Sequence, residues 1–197
     1  MRRLVIGLCV LSLLGAANWY RHRPIPQSPG TLVGHEPLQT EPASRALIHH
    51  GDYDLTPLAD YVIEARVLSR QDYTFDAGSA LAPTDLAVGW DRMSDSAVID
   101  RLELSQSVRY FSYRWKDAAP IPADEIVRSA ANMHMIPADT VAARQLARVR
   151  VGEIVTMRGQ LVQAHRSDGW SWTSSLRRDD SGAGACELML VDSIERR

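Results

Sequence analysis

Tyr61-Val62-Ile63-Glu64-Ala65-Arg66-Val67-Leu68 is the stretch from which the fold is read, because β-branched and aromatic residues crowd it and Asp60 and Ser69 bound it. It predicts a strand. Downstream, Gln71 to Thr84 carries Gly78 and Pro83 and reads as a loop; Thr84 is placed to cap a short turn holding Leu86 and Ala87, and Ser94 to cap a helix over 95–100. Arg101 to Trp115, with apolar positions at Leu102, Leu104, Val108, Tyr110, Tyr113 and Trp115, reads as a strand pair or one bent strand. Pro122 opens a helix toward Ala131, with Asp124 and Glu125 at the end the helix dipole favours for negative charge, and Asp139 starts a second helix running to about Arg148. The last third returns to strand at 153–162, 169–176 and 186–194, with turns at Ser167-Asp168-Gly169 and Asp180-Ser181-Gly182. Helices between strand pairs imply an α+β domain, and three closing antiparallel strands imply a small curled sheet or open barrel with two or three short helices.

Upstream, the chain changes character. Leu4 to Tyr20 is apolar apart from Ser12 and Asn18, and is flanked by Arg2 and Arg3 on one side and Arg21, His22 and Arg23 on the other. As a helix it reaches roughly 25 Å, and its terminal arginines can snorkel across the remainder of a ~30 Å hydrocarbon core. Trp19 and Tyr20 stand where an interfacial aromatic belt is expected. The competing reading is a secretory signal peptide cleaved after Ala17, at Gly15-Ala16-Ala17. Either way residues 1–23 direct export, and the anchor reading gives a single-pass bacterial inner-membrane protein whose domain faces the periplasm. A lipoprotein is disfavoured because Cys9 lies within the apolar run behind the bulky Leu8. Residues 24–45 hold Pro24, Pro26, Pro29, Pro37 and Pro42 and read as an extended linker, shortened if Leu32, Val33 or Leu38 packs on the domain. Residues 46–197 are then the globular domain.

Charge narrows the partners. The chain has 22 basic and 24 acidic side chains. The N-terminal segment holds four of the arginines and none of the acids, so the exported part is acidic, at about −6. Phosphate backbones need a basic face, so nucleic acid is not expected, and Arg144, Arg148 and Arg150 read as a solvated helix face. The expected partners are the membrane, through residues 4–20, and an envelope protein or cell-wall component. With Cys186 alone beyond the N-terminal segment, no internal disulfide can form there.

Four constellations bear on chemistry. Asn132-Met133-His134-Met135-Ile136-Pro137 offers soft ligands, but successive residues cannot converge on one ion without strain, and a backbone-satisfied His between core methionines is favoured. His49-His50-Gly51-Asp52-Tyr53-Asp54 has metal-ligand types at unconvincing spacing and reads as a turn, so neither a metal site nor a cofactor is expected. Cys186 with His134 or His165 has the makings of a thiol nucleophile and its base, but the apolar Leu188-Met189-Leu190-Val191 that follows makes Cys186 more naturally the start of a buried strand. In Gly169-Trp170-Ser171-Trp172-Thr173, Trp170 and Trp172 share one strand face, either as a binding platform or as core.

The strings Pro83-Thr84-Asp85-Leu86-Ala87 to Met93-Ser94-Asp95, Ser129 to Pro137, and Gly169 to Glu187 are similar to stretches of an uncharacterised family of bacterial envelope proteins with a single N-terminal hydrophobic segment. The likeness spans about residues 58–195. It implies the same address and no particular activity. The expectation is therefore a non-catalytic binding or assembly domain, with a thiol- or metal-dependent enzyme using Cys186 and His134 or His165 as the alternative.

Overall fold

The computed structural model describes residues 23–197 together with Gly7, Ser12, Gly15 and Tyr20; the membrane anchor or signal segment expected over residues 4–20, with Cys9 and the cleavage point at Ala17, lies otherwise outside the described residues. Among the described residues no helix is long and apolar enough to cross a membrane. Over residues 23–197 the fold is mostly sheet with three short α-helices, in keeping with the α+β expectation.

Its backbone is one long strand. Short β1 (Leu38–Thr40) and β2 (Ile48–His50) precede β3 (Tyr53–Asp72), which runs for 20 residues, far beyond the segment 61–68 from which it was read. Odd-numbered residues from Tyr53 to Val67 are buried almost throughout, the period of two that a strand imposes. Pro57 obscures this pattern in the sequence, and it sits where the pairing with β8 (Ile154–Arg166) shifts register between Pro57 and Ala59. A bulge is where a strand tolerates proline. β4 (Thr84–Gly89) follows, then a 3₁₀ turn (Asp91–Ser94) and α1 (Ser96–Ile99), capped by the Asp95 carboxylate accepting from the Ala97 N–H. The capped turn expected at Thr84 is thus a strand, and Asp95 rather than Ser94 is the helix cap.

Next come the hairpin β5 (Glu103–Ser107) and β6 (Tyr110–Arg114), α2 (Ala123–Arg128), β7 (Ala130–Pro137) and α3 (Thr140–Leu146), whose cap Asp139 accepts from the N–H groups of Val141 and Ala142. The segment expected between two helices is therefore a strand. β8, β9 (Ser171–Thr173) and β10 (Glu187–Arg196) complete the chain. β5 and β6 pair only with each other, and the other eight strands form one sheet that closes partly into a ring. Around the ring β3 pairs β4, β4 pairs β7, β7 pairs β10 in parallel, β10 pairs β8, and β8 returns to β3.

Inside the ring lies the main core, with Tyr61, Ile63, Leu86, Val88, Met133, Met135, Met157 and Met189 among its members. A second cluster covers the other face of β7 and β10 through Ile136, Leu188 and Leu190, and a third seats α1, α2 and the β5–β6 hairpin. The Pro-rich stretch lies along the domain: Ile25 N–H donates to the Val151 carbonyl, Leu32 and Val33 N–H groups donate to Ser94 Oγ, Val33 is buried, and β1 pairs with β3. A Cβ on Gly152, which has φ +88°, would fall 2.0 Å from the Ile25 carbonyl oxygen, so a side chain there would push this stretch off the domain. The long reach expected of an extended linker is accordingly not realised, and Val33, with Leu32 beside it, accounts for the packing.

Candidate functional site

β4 and β7 present two faces of opposite chemistry. Their register places Leu86 opposite Met133 and Val88 opposite Ala131, both pairs facing the main core. The intervening pairs are Asp85 with His134 and Ala87 with Asn132. Asp85 and His134 are nonetheless almost wholly buried, and an unpaired charge there is costly.

Arg109 supplies the counter-charge. Its Nη1 donates to Asp85 Oδ1 at 2.7 Å and to the Ala82 carbonyl at 2.9 Å, while Nε and Nη2 form a two-pronged pair with Asp76 at 2.9 and 2.8 Å. The guanidinium lies 3.9 Å from the Tyr73 ring centre and 5.5 Å from that of Trp172. Burial lowers the Arg109 pKa, but pairing with Asp76 and Asp85 outweighs it, and the net displacement is upward. Its hydrogen bond to Arg109 holds the Asp76 carboxyl below the ordinary carboxylate range. The His134 Nδ1 stands 2.9 Å from the same Asp85 oxygen without the alignment of a hydrogen bond, and its ring lies against Trp172 with centroids 4.4 Å apart.

Arg109 reaches this position from the two-residue turn between β5 and β6, where Val108 has φ +49° and Arg109 φ +68°. Two successive positive φ values define the tight hairpin turn that Asn-Gly ordinarily occupies, and a β-branched residue pays for it in strain. Val108 is also 78% exposed, so its own packing does not hold the turn. The clamp on Arg109 does. The Arg109 N–H donates to the Tyr73 hydroxyl, and the Asn132 side-chain amide donates to the Arg109 carbonyl at 2.8 Å.

Asn132 connects this network to a cleft. Its Nδ2 lies 3.5 Å from Cys186 Sγ, and its Oδ1 accepts from Gln106 at 2.7 Å. Asn132 and Cys186 line a cleft of about 290 Å³ between β6, with Phe111 and Tyr113, and the loop 180–186; Asp180 is the one charged residue of that lining among the described residues. Burial pushes the Cys186 thiol up from its ordinary value, against the opposing pull of Asn132.

The residues singled out in the sequence therefore part company. His134, Trp172 and Cys186 belong to one region, joined through Arg109 and Asn132, but the sulfur contacts Asn132 and the Arg109 carbonyl, while His134 contacts Asp85 and Trp172. His165 is exposed on β8 beside Ser171 of β9. Trp170 and Trp172 are half-buried, edge to face at 6.0 Å, packed on the second cluster, with Trp170 also edge-on to Tyr53 at 5.6 Å. A Cβ on Gly78 would fall 2.6 Å from the Trp172 ring, so loop 73–83 closes directly over that indole. His49 pairs with Asp54 across the β2–β3 hairpin at 2.6 Å, and no group of three or more metal-ligating side chains occurs among the described residues.

No family model, curated protein or solved structure matches this chain. Its function is therefore read from the geometry. Sequence reasoning overlooked Arg109 and Asp85 and gave Asn132 no role of its own; the signal available was an Arg in a Val-Arg turn between two alternating segments, and an Asn and a His two apart on what proves to be a strand.

A separate buried pair closes the start of β10. Glu187, 2% exposed, bonds Arg178, whose guanidinium also donates to Gln39 Oε1 and lies 5.3 Å from the Tyr61 ring centre. Burial pushes Glu187 up to about 7, against the pull of Arg178.

Proposed function

We propose that the chain is a non-catalytic envelope binding domain, exported by its apolar residues 4–20 and held at the periplasmic face of the inner membrane, that receives its partner in the cleft floored by Asn132 and Cys186. The observation that carries the reading is the setting of Cys186. Burial raises its thiol pKa, and the sulfur contacts an amide and a carbonyl, whereas a thiol nucleophile needs a lowered pKa and a base within hydrogen-bond reach. His134 is committed to Asp85 and Trp172, and His165 faces solvent on another part of the sheet.

The strand order supports the same reading by analogy of architecture. We take the ring as a small, partly open barrel of five strands, β3, β4, β7, β10 and β8, with α3 between the third and fourth along the chain. Barrels of this kind use the face of their second and third strands, and the loops joining first to second and fourth to fifth, to hold ligands. Those features here are β4 and β7, loop 73–83 and the segment 167–186, which carry Asp85, His134, Asn132, Trp172 and Cys186. The analogy concerns shape; the chemistry rests on the residues.

The test is differential alkylation together with site-specific photocross-linking from Tyr110 in cells. Native Cys186 is expected to react with iodoacetamide more slowly at pH 7 than it does in unfolded protein, and Cys186→Ser to leave the cross-linked product intact. Alkylation faster than that of the unfolded chain, with product lost in Cys186→Ser, would restore the thiol enzyme. A phosphatase reporter fused after residue 197 is expected to be active, since it works only when exported; an inactive fusion would remove the address.

A further inference from the structure

Resting on that reading of the cleft, we propose its ligand class: an extended polypeptide segment that enters between β6 and the start of β7 as an added strand, with a basic side chain beside Asp180. Two strand edges face the space. On one side, β6 pairs with β5 alone among the described residues. A two-residue turn with positive φ at Val108 and Arg109 makes Ser107 and Tyr110 the hydrogen-bonded closing pair of the hairpin. Alternation then makes Ser105 and Ser112 a bonded pair and turns the backbone N–H and C=O of Phe111 and Tyr113 outward, away from β5. Phe111 and Tyr113 both line the cleft.

On the other side, β7 pairs with β4 from Ala130 to Met135, but its pairing with β10 begins only at Met133 opposite Glu187. Ala130, Ala131 and Asn132 therefore present an edge with no strand beside it among the described residues, and these three line the same cleft. A segment lying opposite Tyr110 to Tyr113 spans about 10 Å at ~3.3 Å per residue. It would pair along the free edge of β6, with the start of β7 as the facing wall, in the recognition mode in which main-chain hydrogen bonds supply affinity and alternate side chains supply choice. Charge fixes the polarity of that choice: among the described residues the cleft lining holds one carboxylate, Asp180, and no basic residue, on a domain that is acidic overall.

The experiment is selection of a displayed random heptapeptide library against the full chain in detergent micelles, followed by fluorescence-polarisation binding of the enriched synthetic peptides. The proposal expects peptides with Lys or Arg among small neutral residues. N-methylation at alternate amides should weaken binding about tenfold, while methylation of the intervening amides should have little effect. Asp180→Asn should weaken the basic peptides a few-fold, and Ser181→Trp, at an exposed position on the cleft wall, should abolish binding without loss of folding. Ser112→Trp on the opposite wall is the second block, should Ser181→Trp unfold. Binding that both blocks abolish but that ignores the pattern of N-methylation overturns strand addition and leaves the cleft as the binding site. Binding that survives both blocks, or no peptide enriched at all, overturns the proposal, and survival of both blocks overturns the cleft reading with it.

Discussion

The two faces of β7 differ by one residue of register and by their whole chemistry. Ala131, Met133 and Met135 enter the main core and are held by apolar contact, whereas Asn132 and His134 are buried within a network whose guanidinium, that of Arg109, comes from a turn some 25 residues earlier in the chain. The first face tolerates approximation, because a core of methionine, leucine and valine repacks. The second does not, since removing one partner strands the other without water.

The largest effect expected is that of Arg109→Met. It leaves Asp85 buried without its cation and unties the strained turn, and should cost about 4 kcal/mol in urea unfolding. A cost near zero would mean that the network is ornamental. Met133→Ala tests the apolar face; truncation of this fully buried side chain should cost about 3 kcal/mol, and Met133→Leu much less. Equal costs for the alanine and leucine variants would show that this face is as exacting as the other.

A smaller effect sharpens the contrast away from β7. Glu187 holds its proton up to about pH 7 in the folded state against an ordinary value of 4.5. It therefore contributes stability that is complete below about pH 4.5 and declines as pH rises toward 7. Glu187→Gln should lack that decline, so the difference between variant and parent Tm should move in the variant's favour as pH rises across this window; a difference that stays constant would show that burial does not raise the Glu187 carboxyl. The smallest change should be a gain. Val108→Asn relieves a β-branched residue at positive φ and should stabilise by about 1 kcal/mol, whereas a loss would mean that the Val108 side chain contributes contacts of its own.

These contrasts also explain what was legible in the sequence. The central strand was visible at Tyr61 to Leu68 because nothing interrupts its apolar and β-branched run, yet its first eight residues were hidden by Pro57, which belongs to a bulge. β7 was missed outright. Asn132-Met133-His134-Met135 looks unpatterned only if polar means exposed; with both faces buried, the alternation of Asn and His with Met is the strand signal itself. Residues 101–115 read as a strand pair or one bent strand, and the structure has the pair; its turn is not legible, since Val-Arg carries no turn chemistry and adopts the conformation only because distant residues hold Arg109. For the same reason the candidate site was half legible. His134, Trp172 and Cys186 were picked out as residue types, while Asp85, Arg109 and Asn132, which join them, become visible only when β4, β7 and the hairpin tip are brought together.

Arg109 and Asp85 act as one unit holding the hairpin and cleft to the sheet. A double-mutant cycle on unfolding free energy with Arg109→Met and Asp85→Asn tests it most directly. Strong coupling is expected, with the double variant at least about 1.5 kcal/mol more stable than the sum of the single losses implies. Additive losses would contradict it.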